Sequence, residues 1–81
     1  MELQEILDQV NEIFREVLKN SSIMLTQEST AADVDEWDSL TNIGLITGVE
    51  KHFGVKFKLR EILKLKNVGD MCESVQKKMS K

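Results

Sequence analysis

Residues 38–54 read Asp38-Ser39-Leu40-Thr41-Asn42-Ile43-Gly44-Leu45-Ile46-Thr47-Gly48-Val49-Glu50-Lys51-His52-Phe53-Gly54. Within them Leu40, Ile43, Leu45, Ile46, Val49 and Phe53 recur at the three- and four-residue steps that gather side chains on one side of an α-helix. Asp38 is a good N-cap, because a short carboxylate can accept from the free backbone N–H groups of a first turn. Gly54 stands where a left-handed C-cap is wanted. The spacing therefore predicts a helix over residues 39–53. Leu45, Val49 and Phe53 form its inner stripe, and Leu40, Ile43 and Thr47 lie along the outward edge below Ser39, with partner contact and plain core burial equally open for Leu40 and Ile43.

Upstream, the periodicity disappears between Lys19 and Asp38, where Ser, Thr, Asn, Gln and acidic residues dominate. A connection of this length in a small domain is usually either disordered or functional. Ile23, Leu25, Val34 and Trp37 are spaced widely enough to act as pegs, which predicts an ordered loop with room for one short turn of helix. Before it, Leu3, Ile6, Leu7, Val10, Ile13, Phe14, Val17 and Leu18 define a strongly amphipathic helix over residues 2–18. Its acids crowd the first half while Arg15 and Lys19 lie near the other end, as the helix dipole favours.

Downstream, Val55-Lys56-Phe57 alternates over too few residues to make a sheet and reads as an extended linker. Leu59 to Leu65 suits a helix of one or two turns. Asn67 caps a last helix carrying Val68, Met71, Cys72, Val75 and Met79. The expectation is an all-α fold, a small four-helix bundle of three main helices and one short one, with a long first loop.

Size and composition narrow the function. Eighty-one residues allow one domain, taken as 1–81, and 41% hydrophobic content is too high for a disordered tail. A lone Cys72 makes no internal disulfide, which suits a reducing, cytoplasmic setting. The longest apolar run, Ile43 to Ile46, is far too short to span a membrane, and the first ten residues carry acids where a signal peptide carries lysines. Neither membrane insertion nor export is expected.

The net charge of −3 conceals a division. Residues 1–18 hold five carboxylates against one arginine, and Asp33, Asp35, Glu36 and Asp38 add four more. Lys56, Lys58, Arg60, Lys64 and Lys66 face a single acid, Glu61, over residues 55–66. With few aromatics among those cations and an acidic chain overall, a solvated helix face is the reading preferred over a nucleic-acid footprint.

Catalysis within the chain finds no support. His52 is the sole histidine, and it lies 13 positions from Ser39 on one helix. At the helical rise the two are on the order of 20 Å apart, too far to form a couple. His52 is read as a half-packed or exposed residue near a helix end. An EF-hand begun at Asp33 puts Asp38 where the loop needs glycine and Gly44 where it needs a bidentate Glu, so no calcium loop or other metal site is expected. Cys72 sits in an apolar stripe and is assigned to the core.

What remains is Trp37-Asp38-Ser39-Leu40, where the loop meets the central helix. Unpaired backbone N–H groups and the helix dipole would favour a negatively charged substituent on Ser39. Alone, Asp-Ser-Leu is equally a plain helix cap.

The longer block from Asp35 through Trp37-Asp38-Ser39-Leu40 to Phe53-Gly54, continued by Val55-Lys56-Phe57 and a short third helix, resembles the phosphopantetheine attachment region of acyl carrier proteins. The likeness covers the whole chain in helix order and about twenty central residues in motif. It implies a non-enzymatic carrier whose cofactor, 4'-phosphopantetheine, is joined covalently to Ser39 by a separate phosphopantetheinyl transferase (holo-ACP synthase). Asp38, matching the motif's aspartate, would help orient the transferase's metal, and Leu40 would complete the motif. Acyl-transferring and acyl-modifying enzymes would then meet a monomer at Leu40, Ile43 and Thr47. An aminoacyl or peptidyl carrier, and a helical interaction module without modification, are the alternatives.

One departure stands out against the resemblance. Carriers of fatty-acid synthesis have a strongly acidic second helix, whereas residues 39–53 contain only Glu50, offset by Lys51. This points to a specialised lipid, polyketide or surface-glycan pathway. Gly44 and Gly48, each worth about 1 kcal/mol less than alanine in a helix, predict that the second and third helices breathe around a movable cleft.

Overall fold

A computed structural model describes residues 2–79. They form four α-helices, α1 (Leu3–Val17), α2 (Ser39–Phe53), α3 (Leu59–Leu63) and α4 (Val68–Met79), plus a 3-10 turn over Ala31–Asp33. The described residues contain no strand. The all-α four-helix bundle expected from the periodicity is what forms.

Helix α1 is the hub and packs on both α2 and α4. Ile6, Val10 and Phe14 of α1, Leu45 and Val49 of α2, and Val68, Met71, Cys72 and Val75 of α4 are fully or almost fully buried. Helices α1 and α4, and the inner stripe of α2, were readable because that stripe is the surface they hide. Helix α3 has no buried residue. It is held by half-buried Ile62 on the core and by Glu61, which accepts from Lys78 Nζ of α4 at 2.8 Å. Five residues are too few to be helical without such support.

The long loop is ordered by hydrogen bonds rather than by its pegs alone. Asn11, buried in α1, accepts from Leu25 N–H through Oδ1 at 2.6 Å and donates through Nδ2 to the Leu7 and Leu25 carbonyls. Arg15 Nε donates to the Ile23 carbonyl at 2.7 Å. Ile23 and Leu25 are buried, and Val34 and Trp37 pack against the core.

The loop also caps α4. Val68 and Gly69 N–H groups donate to the Ser29 and Gln27 carbonyls at 2.9 and 2.7 Å, and Asp70 N–H donates to Asn67 Oδ1. The donors that a helix start leaves unsatisfied are thus paired by a distant segment. Position 69 must be glycine, because a Cβ there would lie 2.8 Å from the Gln27 carbonyl oxygen.

The other helical glycines lie against α1. A Cβ on Gly48 would meet Ile13 Cγ2 at 3.0 Å, and one on Gly44 would meet Val17 Cγ1 at 3.4 Å. Both face α1, and at Gly48 the absence of a Cβ leaves room for Ile13. Gly54, with φ of +68°, closes α2 as its position predicts.

Candidate functional site

The start of α2 is built around Asp38. Its Oδ1 accepts from the N–H groups of Leu40 and Thr41, both at 2.9 Å. Thr41 Oγ1 reciprocates by accepting from Asp38 N–H at 2.8 Å and donates to the Glu36 carbonyl at 2.8 Å. Those two backbone donors, Thr41 first and Leu40 second, hold the Asp38 carboxyl below its usual range. The carboxylate is therefore ionised at neutral pH.

This corrects one expectation. Unpaired N–H groups were to favour a negative substituent on Ser39, yet Leu40 and Thr41 N–H are already occupied by a carboxylate of the chain itself. A phosphate on Ser39 meets the helix dipole, but not a nest of open donors.

Immediately before Asp38, Trp37 fixes where the helix begins. Its ring stands edge-on to Phe14 with centroids 5.0 Å apart and an interplanar angle of 89°. Its Nε1 donates to Asn42 Oδ1 at 3.0 Å. One side chain thereby joins the end of the loop, the core of α1 and the first turn of α2.

Ser39 is exposed, and its hydroxyl makes no hydrogen bond among the described residues, although Asp38, Thr41 and Asn42 around it are all engaged. It borders an open cleft of about 270 Å³ with Ala31, Trp37, Asn42, Leu65 and Lys66. Neighbouring Leu40 and Ile43 are 80% and 67% exposed. Thr47, also on this edge, turns its hydroxyl to the Ile43 carbonyl. Leu45 and Val49 are buried, and Phe53 packs half-buried on the core.

His52 lies at the far end of α2, exposed, where Nε2 pairs with Gln9 Oε1. His52 is therefore not placed to act as a base for Ser39. Cys72 is fully buried, and desolvation, reinforced by the Glu73 charge, pushes its thiol up to about 11. It is inert core, as its stripe position suggests.

Reading the sequence alone missed the roles of Thr41 and Asn42. An Asp-x-x-Thr spacing is a capping-box signal that could have revealed Thr41. Leu65 and Lys66 reach Ser39 only through the path of α3, and nothing local to either segment announces it.

A small helical scaffold thus presents an exposed serine at a helix start. Residues 8–75 match the family described as phosphopantetheine attachment site. The chain is 32% identical to an acyl carrier protein of Thermotoga maritima over 76 residues, 94% of each chain. It is 31% identical to one of Thermosynechococcus vestitus over 80 residues, 99% of each. The solution structure of a holo acyl carrier protein from Geobacter metallireducens superposes with a TM-score of 0.87 at 48% identity, covering 93% of this chain and 86% of that one.

The chain belongs to the acyl carrier protein family. It is a carrier and its prosthetic group is 4'-phosphopantetheine. The site fits such a group: a hydroxyl free of hydrogen bonds is available for a phosphodiester, and the cleft beside it is open on the solvent side. No described helix is long and apolar enough to cross a membrane.

Proposed function

We propose that Ser39 is the attachment point, so that the protein carries acyl intermediates from this oxygen. The observation that carries the reading is the exposed Ser39 hydroxyl without a hydrogen bond, set among neighbours that are all engaged. In loading, Ser39 Oγ attacks the phosphorus that bears the pantetheine of coenzyme A. The new O–P bond replaces the bond to the nucleotide part, which leaves, and the hydroxyl proton passes to a base of the transferase.

Asp38 divides its carboxylate between two tasks. Oδ1 holds the first turn, while Oδ2 makes no hydrogen bond among the described residues and is available to the transferase's metal ion. Leu40, one residue beyond Ser39, offers the arriving enzyme an apolar contact. When bound, the prosthetic group supplies a thiol that holds the acyl group as a thioester. The chain's part is to keep the anchoring oxygen at a rigid helix start, clear of its own side chains.

In this reading the protein works as a monomer in the cytoplasm, loaded by a phosphopantetheinyl transferase and served by acyl-transferring and acyl-modifying enzymes. A second helix with Glu50 as its only acid favours a specialised lipid, polyketide or surface-glycan pathway over bulk fatty-acid synthesis.

Co-expression with a broad-specificity transferase, followed by intact-mass measurement, tests the attachment. The wild type should gain the mass of one phosphopantetheine and Ser39→Ala should gain none. A folded wild type left unmodified would reject the assignment.

A further inference from the structure

Leu65 and Lys66 lie in the connection between α3 and α4, yet they come to the start of α2. With Ala31, Trp37, Asp38 and Asn42 they border the open cleft of about 270 Å³ that Ser39 also lines. The connection is fixed in place there. Lys66 N–H donates to Asp70 Oδ2 at 3.0 Å, Asp70 N–H donates to Asn67 Oδ1 at 2.8 Å, and half-buried Leu65 packs on the core. The backbone of Lys66 is therefore pinned while its side chain is exposed.

The rest of the cleft offers an anion little. Leu40 and Thr41 N–H, which a helix start would present to a phosphate, are both taken by Asp38 Oδ1. Trp37 Nε1–H is spent on Asn42 Oδ1, which leaves Asn42 its neutral Nδ2 donor. Asp38 is itself ionised at neutral pH and repels a second negative charge. Among the residues lining the cleft Lys66 alone is cationic, and its ammonium is in no ion pair among the described residues. Asp70, the carboxylate nearest it in sequence, is engaged through Oδ2 by the backbone of Lys66.

We infer that the Lys66 ammonium is the counter-ion of the phosphodiester on Ser39, holding the root of the prosthetic arm against the connection between α3 and α4. The inference rests on the Ser39 reading. A phosphodiester is a monoanion at neutral pH, and joined to Ser39 Oγ it starts in the cleft that Lys66 and Asp38 share. Lysine suits the task, because a compact charge on a flexible four-carbon stem can follow the phosphate oxygens. Loading thereby ties the first turn of α2 to residues 64–67, so the modified protein is the more stable form.

Unmodified and modified forms of the wild type, Lys66→Gln, Lys66→Arg and Lys64→Gln are melted at low and high salt. Intact mass first confirms that each modified sample carries the group. At low salt the modified wild type should melt about 2–4 °C above the unmodified one, as an exposed ion pair in a small domain allows. Salt at about 0.5 M should close most of that gap. Lys66→Gln should remove the gap and Lys66→Arg should keep it. Lys64→Gln makes the same change of charge two residues away, outside the cleft, and should leave the gap as it is in the wild type. The phosphorus NMR resonance of the phosphodiester should move in Lys66→Gln and stay in Lys64→Gln. Each gap is taken within one variant, so a change in that variant's own stability cancels.

A gap that survives Lys66→Gln, or that Lys64→Gln abolishes equally, overturns the proposal. So does a wild type without a gap, or a phosphorus resonance blind to Lys66. Failure of the Ser39 reading shows separately, as a wild type that gains no mass.

Discussion

The indole of Trp37 meets the ring of Phe14 edge-on, 5.0 Å between centroids, and so ties the residue two positions before Ser39 to the centre of the core. Phe14 is fully buried, while Trp37 is half-covered and spends its N–H on Asn42. The serine is exposed, yet the backbone that carries it is anchored. If Ser39 is the proposed attachment point, that combination lets partners find the hydroxyl at a fixed place without its own scaffold competing for it.

Truncating either ring should separate stability from presentation. Phe14→Ala is expected to cost about 3–5 kcal/mol, since a large side chain leaves a cavity among buried neighbours. Trp37→Phe keeps an aromatic against Phe14 and loses the bond to Asn42, so it should cost about 1 kcal/mol. Urea denaturation measures both. If the Trp37 bond positions Ser39, Trp37→Phe should also slow loading by a transferase more than its stability loss predicts.

Asp38 should be divisible by substitution and by pH. Asp38→Asn keeps an oxygen for Leu40 and Thr41 N–H and removes the charge, so it should lower the midpoint of thermal unfolding less than Asp38→Ala does, while loading falls sharply. Asp38→Ala should lower both. Because the folded carboxyl titrates below its unfolded value of 3.8, its contribution is fully present above that value and lost as pH falls through the folded one. The gap in stability between wild type and Asp38→Ala should therefore close as acid is added below that point.

The three glycines inside helices should respond differently to alanine. Gly44→Ala places a Cβ 3.4 Å from Val17, an ordinary contact, and should stabilise by about 0.5–1 kcal/mol through helix propensity. Gly69→Ala drives a Cβ to within 2.8 Å of the Gln27 carbonyl, and a backbone atom cannot step aside, so a loss of about 1–3 kcal/mol is expected. Gly48→Ala, 3.0 Å from a side-chain methyl of Ile13, should fall between them. Thermal unfolding of the three variants checks the order Gly44, Gly48, Gly69.

Cys72 should be silent toward thiol reagents. Complete burial and a thiol pushed up to about 11 leave almost no accessible thiolate at neutral pH. Native unmodified protein should react with a disulfide reagent only after denaturant is added, whereas loaded protein should show one fast thiol belonging to the arm. Fast labelling of the unmodified chain would mean that α4 opens readily.

What residues 1–81 determined unaided was local. Period, cap and stop signals are written within a few positions of one another, so α1, α2 and α4 were legible over residues 2–18, from Asp38 to Gly54, and from Asn67 onward. The resemblance around Asp38-Ser39-Leu40 pointed to the family for the same reason, since the motif is contiguous. What only the tertiary structure decided depends on parts of the chain far apart in sequence. Asn11 holds Leu25, Ser29 and Gln27 cap α4, Gly48 leaves room for Ile13, and Leu65 and Lys66 arrive beside Ser39. The same holds for the exposed aliphatics: Leu40 and Ile43 share the apolar spacing of Leu45 and Val49, and periodicity cannot say which members of a stripe find a neighbour. Burial belongs to pairs of surfaces, and one helix carries the pattern of only its own.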